Sequence, residues 1–378
     1  MYIKNLYLKN YRNYKETNIT FDPKVNIFYG NNAEGKTNLL EAIFICATSK
    51  SYKGSKEKEI INFDEENSHI QLTYILEKEN IIDIYINKEN KKEIYINKVK
   101  IEKLSSFLGL FSTVLFAPED LEIITKGPSE RRRFLNNEIC QIDKIYISLL
   151  ANYNKSLNQR NALLKDIKGS FGENKKELIN FLSSYDEEII NYGAEIIKKR
   201  RENIEDLSKK VKNIYGKISS EKEELIIDYE SDILEKEKNI QRIKDTYRKE
   251  LEESKENDII LGFTNVGPHR DDISFFVKEK DLRKFGSQGQ KKTSAICLKL
   301  SELMIVKEKR NDTPVLLLDD VFSELDERRQ KELVESLDGI QTIITCTGMK
   351  RNVFELLRPN KIFRVINNKV EEIINEKH

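Results

Sequence analysis

Only four cysteines, Cys46, Cys140, Cys297 and Cys346, occur in 378 residues. They lie far apart with no metal-ligand spacing, which excludes a disulfide scaffold or a cysteine metal site and points to buried thiols in a reduced cytoplasm. No apolar run approaches the ~18 residues of a membrane span. The start, Met1-Tyr2-Ile3-Lys4-Asn5-Leu6, has no leader pattern, so no membrane location is expected. Net charge is nearly absent: 65 basic against 64 acidic residues leave +1. Charge alone therefore argues neither for nor against nucleic acid, and any basic surface must arise from local clustering. There is no evident repeat or low-complexity linker, and the length allows two domains.

What is present is a phosphate-binding loop. Gly30-Asn31-Asn32-Ala33-Glu34-Gly35-Lys36-Thr37 fits G-x-x-x-x-G-K-[ST]. Gly30 and Gly35 permit backbone angles that turn successive N–H groups inward around a phosphate. Lys36 supplies a point charge for the β- and γ-phosphates, and Thr37 a hydroxyl ligand for Mg²⁺. The setting matters, because such a stretch alone also reads as a surface turn. Val25–Tyr29 before it predicts a strand. Asn38–Phe44 after it predicts a helix with Leu39, Leu40, Ile43 and Phe44 on one side. Strand, loop and helix in that order are the context the loop requires.

Further strands are expected at Tyr2–Leu8, Thr17–Phe21, Ile70–Leu76, Ile81–Ile86, Ile94–Val99 and 112–116. From Gly127-Pro128-Ser129-Glu130 the pattern turns helical and charged, with Ser129 a candidate N-cap. Leu182, Tyr185, Ile189, Tyr192 and Ile196 step like a heptad. Ile204, Leu207, Val211 and Ile214 follow with a slip, which tracks a straight helix and a compact helical subdomain. Strands return at Ile259–Phe263 and Ile273–Val277. The expected fold is an α/β ABC-ATPase-like P-loop head with a mixed β-sheet flank and an inserted all-α subdomain. Its boundaries are 1–128 and 258–378 for the head and 129–257 for the insert.

Two later motifs carry chemistry. Val315–Leu318 is an apolar strand that delivers Asp319 to a Mg²⁺ shell, and Asp320 beside it could act as general base or cap the next turn. Ser287-Gln288-Gly289-Gln290 opens a helix with a hydroxyl, a permissive glycine and free N–H groups. That arrangement is an anion site or an ordinary helix cap.

P-loop, S-x-G-Q, Asp319-Asp320 and Ser323-Glu324-Leu325-Asp326 follow the motif order of ABC-type ATPases. The chain most closely resembles the RecF family of bacterial recombination mediators. Leu8–Tyr14, Leu115–Leu121, Gly127–Leu135 and Gly267–Asp272 carry that resemblance, which runs from residue 1 to about 350. It implies a head similar to those of SMC proteins without long arms, ATP with Mg²⁺, and an ATP-dependent homodimer. In that dimer Ser287, Gly289 and Gln290 of one subunit would face the γ-phosphate held by Lys36 of the other. It also implies that Arg12 reaches phosphate, and that gapped DNA and RecO- and RecR-type proteins are partners. Asp320 stands where Glu is usual, so slow hydrolysis is expected. The histidine usual after the following strand is absent, Thr345-Cys346-Thr347 standing there. Pro118-Glu119-Asp120 stands where a Gln is common.

Arg131–Arg133 and Lys198–Arg201 are the main basic clusters, readable as DNA contacts or as solvated helix faces. His269 with Asp271 and Asp272 reads as a structural turn rather than a metal site. A transporter nucleotide-binding subunit would leave the inserted helical segment without a purpose. A GTPase would need N-K-x-D, and Asn87–Asn90 and Asn97–Lys100 both fail at the last position.

Overall fold

A computed structural model describes the chain except residues 90, 220–222, 235–238, 311, 336, 349–353, 356 and 374–378. It forms two compact units. The first comprises Met1–Leu121, Asn213–Lys222 and Lys292–His378, and the second Glu122–Lys212 and Glu223–Lys291. Residues 258–291, which the sequence groups with the head, thus fall in the second unit.

The first unit holds two six-stranded sheets. One is antiparallel, built from β1 (Tyr2–Tyr11), β2 (Tyr14–Thr20), β4 (Asn67–Ile75), β5 (Glu79–Asn87), β6 (Lys92–Ile96) and β7 (Val99–Lys100) in the order β2-β1-β4-β5-β6-β7. β1 and β4 largely alternate buried with less buried residues, as expected of a sheet packed on one face. The other sheet runs β15-β14-β3-β13-β12-β8. Its strands are β3 (Val25–Tyr29), β8 (Thr113–Phe116), β12 (Val315–Asp319), β13 (Thr342–Cys346), β14 (Lys361–Ile366) and β15 (Lys369–Ile373). β8, β12 and β13 are buried at every position, the signature of parallel strands covered on both faces. Burying each large aliphatic side chain here contributes about 1.5–3 kcal/mol. Register sets Asp319 opposite Thr345, and Cys346 opposite Tyr29. The P-loop, Asp319 and Thr345 therefore gather at the carboxyl ends of adjacent parallel strands, where open α/β sheets place ligands.

A buried glutamine joins the two sheets. Gln341 accepts from the Ile3 N–H at 2.6 Å and donates to the carbonyls of Ile3 and Asp22, each at 2.8 Å. No sequence pattern announces it.

The second unit carries a three-stranded sheet, β11-β10-β9, from β9 (Leu225–Glu230), β10 (Asp272–Val277) and β11 (Lys280–Asp281). β9 lies inside the otherwise helical stretch. Helices Pro128–Ile142, Lys144–Lys168 and Ile240–Leu261 belong to this unit. Helix Gly172–Ile218 has 47 residues, about 70 Å at the usual rise. It buries Leu182, Ile189, Ile196, Ile204, Leu207 and Val211 as the periodicity predicts. Gly193 on this helix is a close-packing position, since a Cβ there would lie 2.6 Å from the Tyr247 ring and 3.1 Å from that of Tyr153.

Two local expectations are corrected. The N-cap is Gly127, with Pro128 at the first helical position, so Ser129 lies inside the helix; the preset φ of proline suits that first position. Ile259–Phe263 is not a strand. Ile259–Leu261 end a helix that Gly262 caps in the left-handed region at φ 84°. Among the described residues, no helix is long and apolar enough to cross a membrane.

Candidate functional site

The loop after β3 is shaped by close approach. A Cβ on Gly30 would lie 2.3 Å from the Val365 carbonyl oxygen. Gly35 sits at φ 102°, and a Cβ there would lie 2.6 Å from Asn13 and 2.8 Å from Tyr14. Both motif glycines are thus required by the backbone path, not only by a ligand. Asn31, Asn32 and Ala33 form the exposed tip, with Ala33 at φ 66°. Glu34 points outward and accepts from the backbone N–H of Asn367, in the turn between β14 and β15. Asn13 donates to Asn368 in that turn and accepts from Asn38 at 2.8 Å, so the C-terminal hairpin holds the loop from outside.

Lys36 begins helix Lys36–Thr48 and donates to the carbonyls of Gly30 at 2.8 Å and Asn31 at 2.6 Å. Its ammonium therefore stands at the mouth of the loop. Burial lowers its pKa, opposed by Asp320, Cys346, Asp319 and Glu34. Thr37 donates to Asp319 Oδ1 at 2.9 Å. Thr345 donates to the same oxygen at 2.7 Å, and Tyr52 to Oδ2 at 2.8 Å. Asp319 is 2% exposed, so these three hydroxyls fix both its oxygens. Asp320 follows at φ 50°, its N–H bonded to the Thr345 carbonyl at 3.1 Å. Ser323 closes the next turn onto the Asp320 carbonyl at 2.7 Å.

Pro118–Asp120 forms one tight turn. Asp120 folds back to accept from the Ala117 N–H at 2.8 Å, and burial pushes its carboxyl up to about 6. Glu119 Oε2 is buried and has no hydrogen-bond partner among the described residues. Its charge is felt at Tyr52, as is that of Asp319.

Arg12, at φ 51°, is held by Glu41 on the P-loop helix through bonds of 2.9 and 2.6 Å. It also donates to the Glu59 carbonyl at 2.8 Å and to Ser55 at 2.7 Å. Glu41 is fully buried, and Ser51 and Tyr11 donate to it as well. Burial pushes the Glu41 carboxyl up, but Arg12 and Ser51 outweigh it and hold it below the usual range. Tyr52, Glu41 and Thr345 were not singled out as partners of the motif residues by sequence. Tyr52 and Asp319 stand 267 positions apart and only the fold joins them.

Ser287 caps helix Gln288–Arg310 by a reciprocal box. Its Oγ accepts from the Gln290 N–H at 3.2 Å, and its own N–H donates to Gln290 Oε1 at 2.9 Å. Gln290 also donates to Glu223 at 3.1 Å. A Cβ on Gly289 would meet only Ser287 Oγ, at 3.9 Å, so packing within the chain does not demand glycine there.

The basic clusters are largely internal braces. Arg131 forms two bonds to Asp272, of 2.6 and 2.8 Å, and Arg132 donates to the Asp271 carbonyl at 2.7 Å. Arg133 pairs with Glu130, Lys199 with Asp143, and Arg201 donates to the Ile233 carbonyl at 2.6 Å. Arg200, 2% exposed, donates to Tyr146, Asn136 and the Pro268 carbonyl. His269 bonds Tyr153 at 2.7 Å and the Thr264 carbonyl at 3.0 Å, and burial holds its imidazole down at about 4. Among the described residues no cluster of three His, Cys, Asp or Glu could hold a metal.

A loop pinned by close glycines, with its threonine joined to an aspartate at the end of a parallel strand one place further along the same sheet, defines a P-loop head of the ABC-ATPase class. In fold the chain is similar to an SMC head domain from Pyrococcus furiosus, solved with an extended coiled coil and bound to a ScpA fragment. The TM-score is 0.56 at 17% identity, covering 98% of this chain and 96% of that one. Residues 2–372 match the family described as RecF/RecN/SMC N terminal domain. The "DNA replication and repair protein RecF" of Agathobacter rectalis is 47% identical over 374 residues, 99% of each chain. That of Lachnoclostridium phytofermentans is 44% identical over 375 residues, 98% of this chain and all of the relative. A solved structure of the recombination mediator protein RecF with ATP, in the RecFOR pathway, gives a TM-score of 0.90 at 38% identity, covering 99% and 98%. The chain belongs to the RecF family of DNA replication and repair proteins.

Proposed function

We propose that this chain is an ATP-driven switch in DNA repair, binding ATP with Mg²⁺ at Gly30–Thr37 and dimerising on it. The observation that carries this reading is the Thr37–Asp319 pair at the mouth of the P-loop. A hydroxyl and a carboxylate are hard oxygen donors of the kind Mg²⁺ takes beside substrate phosphates. The buried Oε2 of Glu119, which has no hydrogen-bond partner among the described residues, gives further support, because such an oxygen favours a nearby cation. Bound Mg²⁺ would offset charge on the β- and γ-phosphates.

Lys36 would exchange its loop carbonyls for phosphate oxygens. Asp320, beside the metal-binding Asp319, is assigned the role of accepting a proton from the attacking water. Its short side chain is consistent with slow turnover. Arg12 would reach phosphate only by leaving Glu41.

Ser287, Gly289 and Gln290 supply the second half of the site from another subunit. Open space at Gly289 and the 70% exposure of neighbouring Phe285 support a surface that becomes covered. ATP then favours the dimer by mass action, since only the dimer completes the site. By kinship with proteins of the RecFOR pathway, the dimer acts on gapped DNA with RecO- and RecR-type partners and helps load a recombinase in the cytoplasm.

Sedimentation with and without a non-hydrolysable ATP analogue tests this. A dimer is expected only with analogue and Mg²⁺, together with DNA binding that weakens steeply with salt. A chain that binds the analogue yet stays monomeric at all concentrations overturns the switch.

A further inference from the structure

We infer that Tyr52 is a positioning residue for the metal-binding carboxylate of Asp319, a role that rests on the assignment of Asp319 above. Three hydroxyls converge on Asp319, and they are not equivalent. Thr37 and Thr345 both donate to Oδ1, from the P-loop helix and the adjacent strand. Tyr52 alone among the described residues donates to Oδ2, at 2.8 Å. Thr37 can keep its donation and still offer a lone pair to a cation. Mg²⁺ demands near-octahedral geometry and short bonds, so the carboxylate must present a chosen oxygen in a chosen plane. A donor on Oδ2 fixes that plane.

The Tyr52 hydroxyl is suited to permanent donation. A phenolic O–H keeps its proton through the neutral range and so donates throughout it. Its ring is held edge-on to Phe44 at 5.5 Å, on the P-loop helix itself. The flanking residues anchor the segment at two more points. Ser51 donates to Glu41, and Ser55 accepts from Arg12 at 2.7 Å. One five-residue stretch, 51–55, thus touches both the Arg12–Glu41 pair and the carboxylate of Asp319. Rearrangement of Arg12 toward a phosphate would be felt at Tyr52, and through it at the metal ligand.

The test is Tyr52→Phe, which removes one oxygen and keeps the ring against Phe44. Binding of a fluorescent ATP analogue is titrated with Mg²⁺, and again with chelator, alongside the melting temperature. Loss of a hydrogen bond that orients a metal ligand lowers metal affinity about 10- to 100-fold. The expected result is a Mg²⁺ midpoint raised by roughly tenfold with metal-free nucleotide affinity unchanged, and a matching loss in direct Mn²⁺ binding by electron paramagnetic resonance. An unchanged Mg²⁺ midpoint overturns the inference, whatever happens to the melting temperature, because a purely structural tyrosine would move only the latter. If wild-type nucleotide binding itself shows no Mg²⁺ dependence, the assignment of Asp319 fails first and takes this inference with it.

Discussion

The P-loop corner is closed upon itself, whereas the Ser287 corner stops at the start of a helix. At the first, Lys36, Thr37, Asp319, Thr345, Tyr52 and Glu34 all have named partners within their own unit. At the second, Ser287 and Gln290 satisfy each other, Ser287 and Gly289 are exposed, and Phe285 is bare. Both present groups suited to phosphate. Only the first has a metal-type donor set, and only the second has glycine and aromatic surface that its own unit leaves unexplained. The difference teaches that preorganisation is spent where charge must be held in fixed geometry, and surface is left open where another body must arrive.

The sharpest way to break the comparison is at Asp320. If the P-loop corner alone supplies the chemistry, Asp320→Asn should bind ATP and Mg²⁺ normally and slow turnover by about 10²- to 10⁴-fold. Single-turnover hydrolysis measured against equilibrium binding checks it. Loss of binding with an unchanged rate per bound ATP would make Asp320 a turn residue, in keeping with its left-handed backbone.

A second contrast sets the P-loop corner against the charged core of the second unit. Arg131, whose side chain is 3% exposed, is paired with Asp272, and Arg200 is buried among Tyr146, Asn136 and the Pro268 carbonyl. Arg131→Ala should therefore lower stability by about 2–4 kcal/mol, because it removes a buried arginine and leaves the part-exposed Asp272 without its partner. Lys198→Ala, on a half-buried helix position, should change stability by less than about 0.5 kcal/mol. Urea unfolding separates the two. Loss of DNA binding on charge reversal at Arg131 would accordingly report misfolding, not a broken contact. Equal and small effects at both positions would return the cluster to the surface.

These cases mark what the sequence could and could not reveal. Strand Val25–Tyr29 was legible to the residue, because an apolar run ends at a motif with fixed backbone demands. That the strand from Val315 ends at Asp319 was legible for the same reason. Its partners were not: Thr345 comes through strand register, and Tyr52 through a segment with no motif of its own. The arginine runs were readable only as charge, since burial depends on which helix faces the Gly267–Asp272 loop. Ile259–Phe263 is a short apolar run, which by itself cannot be told from the end of a buried helix. The same helix buries Ile243, Tyr247 and Leu251 at steps of four, and Gly262 ends it.

The prediction with the smallest effect on the folded chain discriminates best at the open corner. Ser287 has two candidate duties, capping its own helix and facing a phosphate held by another subunit. Removing it by Ser287→Ala confounds them, since losing a cap by itself costs about 1 kcal/mol. Ser287→Asp separates them. Aspartate is as good an N-cap as serine, and a negative charge at a helix N-terminus is mildly favourable, so the melting temperature should hold or rise slightly. Monomer affinity for ATP should also hold, because none of the bonds that hold Lys36 and Thr37 involves Ser287. Across two subunits the outcome reverses: the new carboxylate would meet a γ-phosphate of like charge, and nucleotide-driven dimerisation should be lost. Ser287→Asn, an equally good cap without charge, should retain part of it. Sedimentation of the three variants with a non-hydrolysable analogue reads the difference directly. If Ser287→Asp dimerises at the same nucleotide concentration as wild type, Ser287 is a helix cap and nothing more, and the open corner must be explained by a partner other than a second copy of this chain.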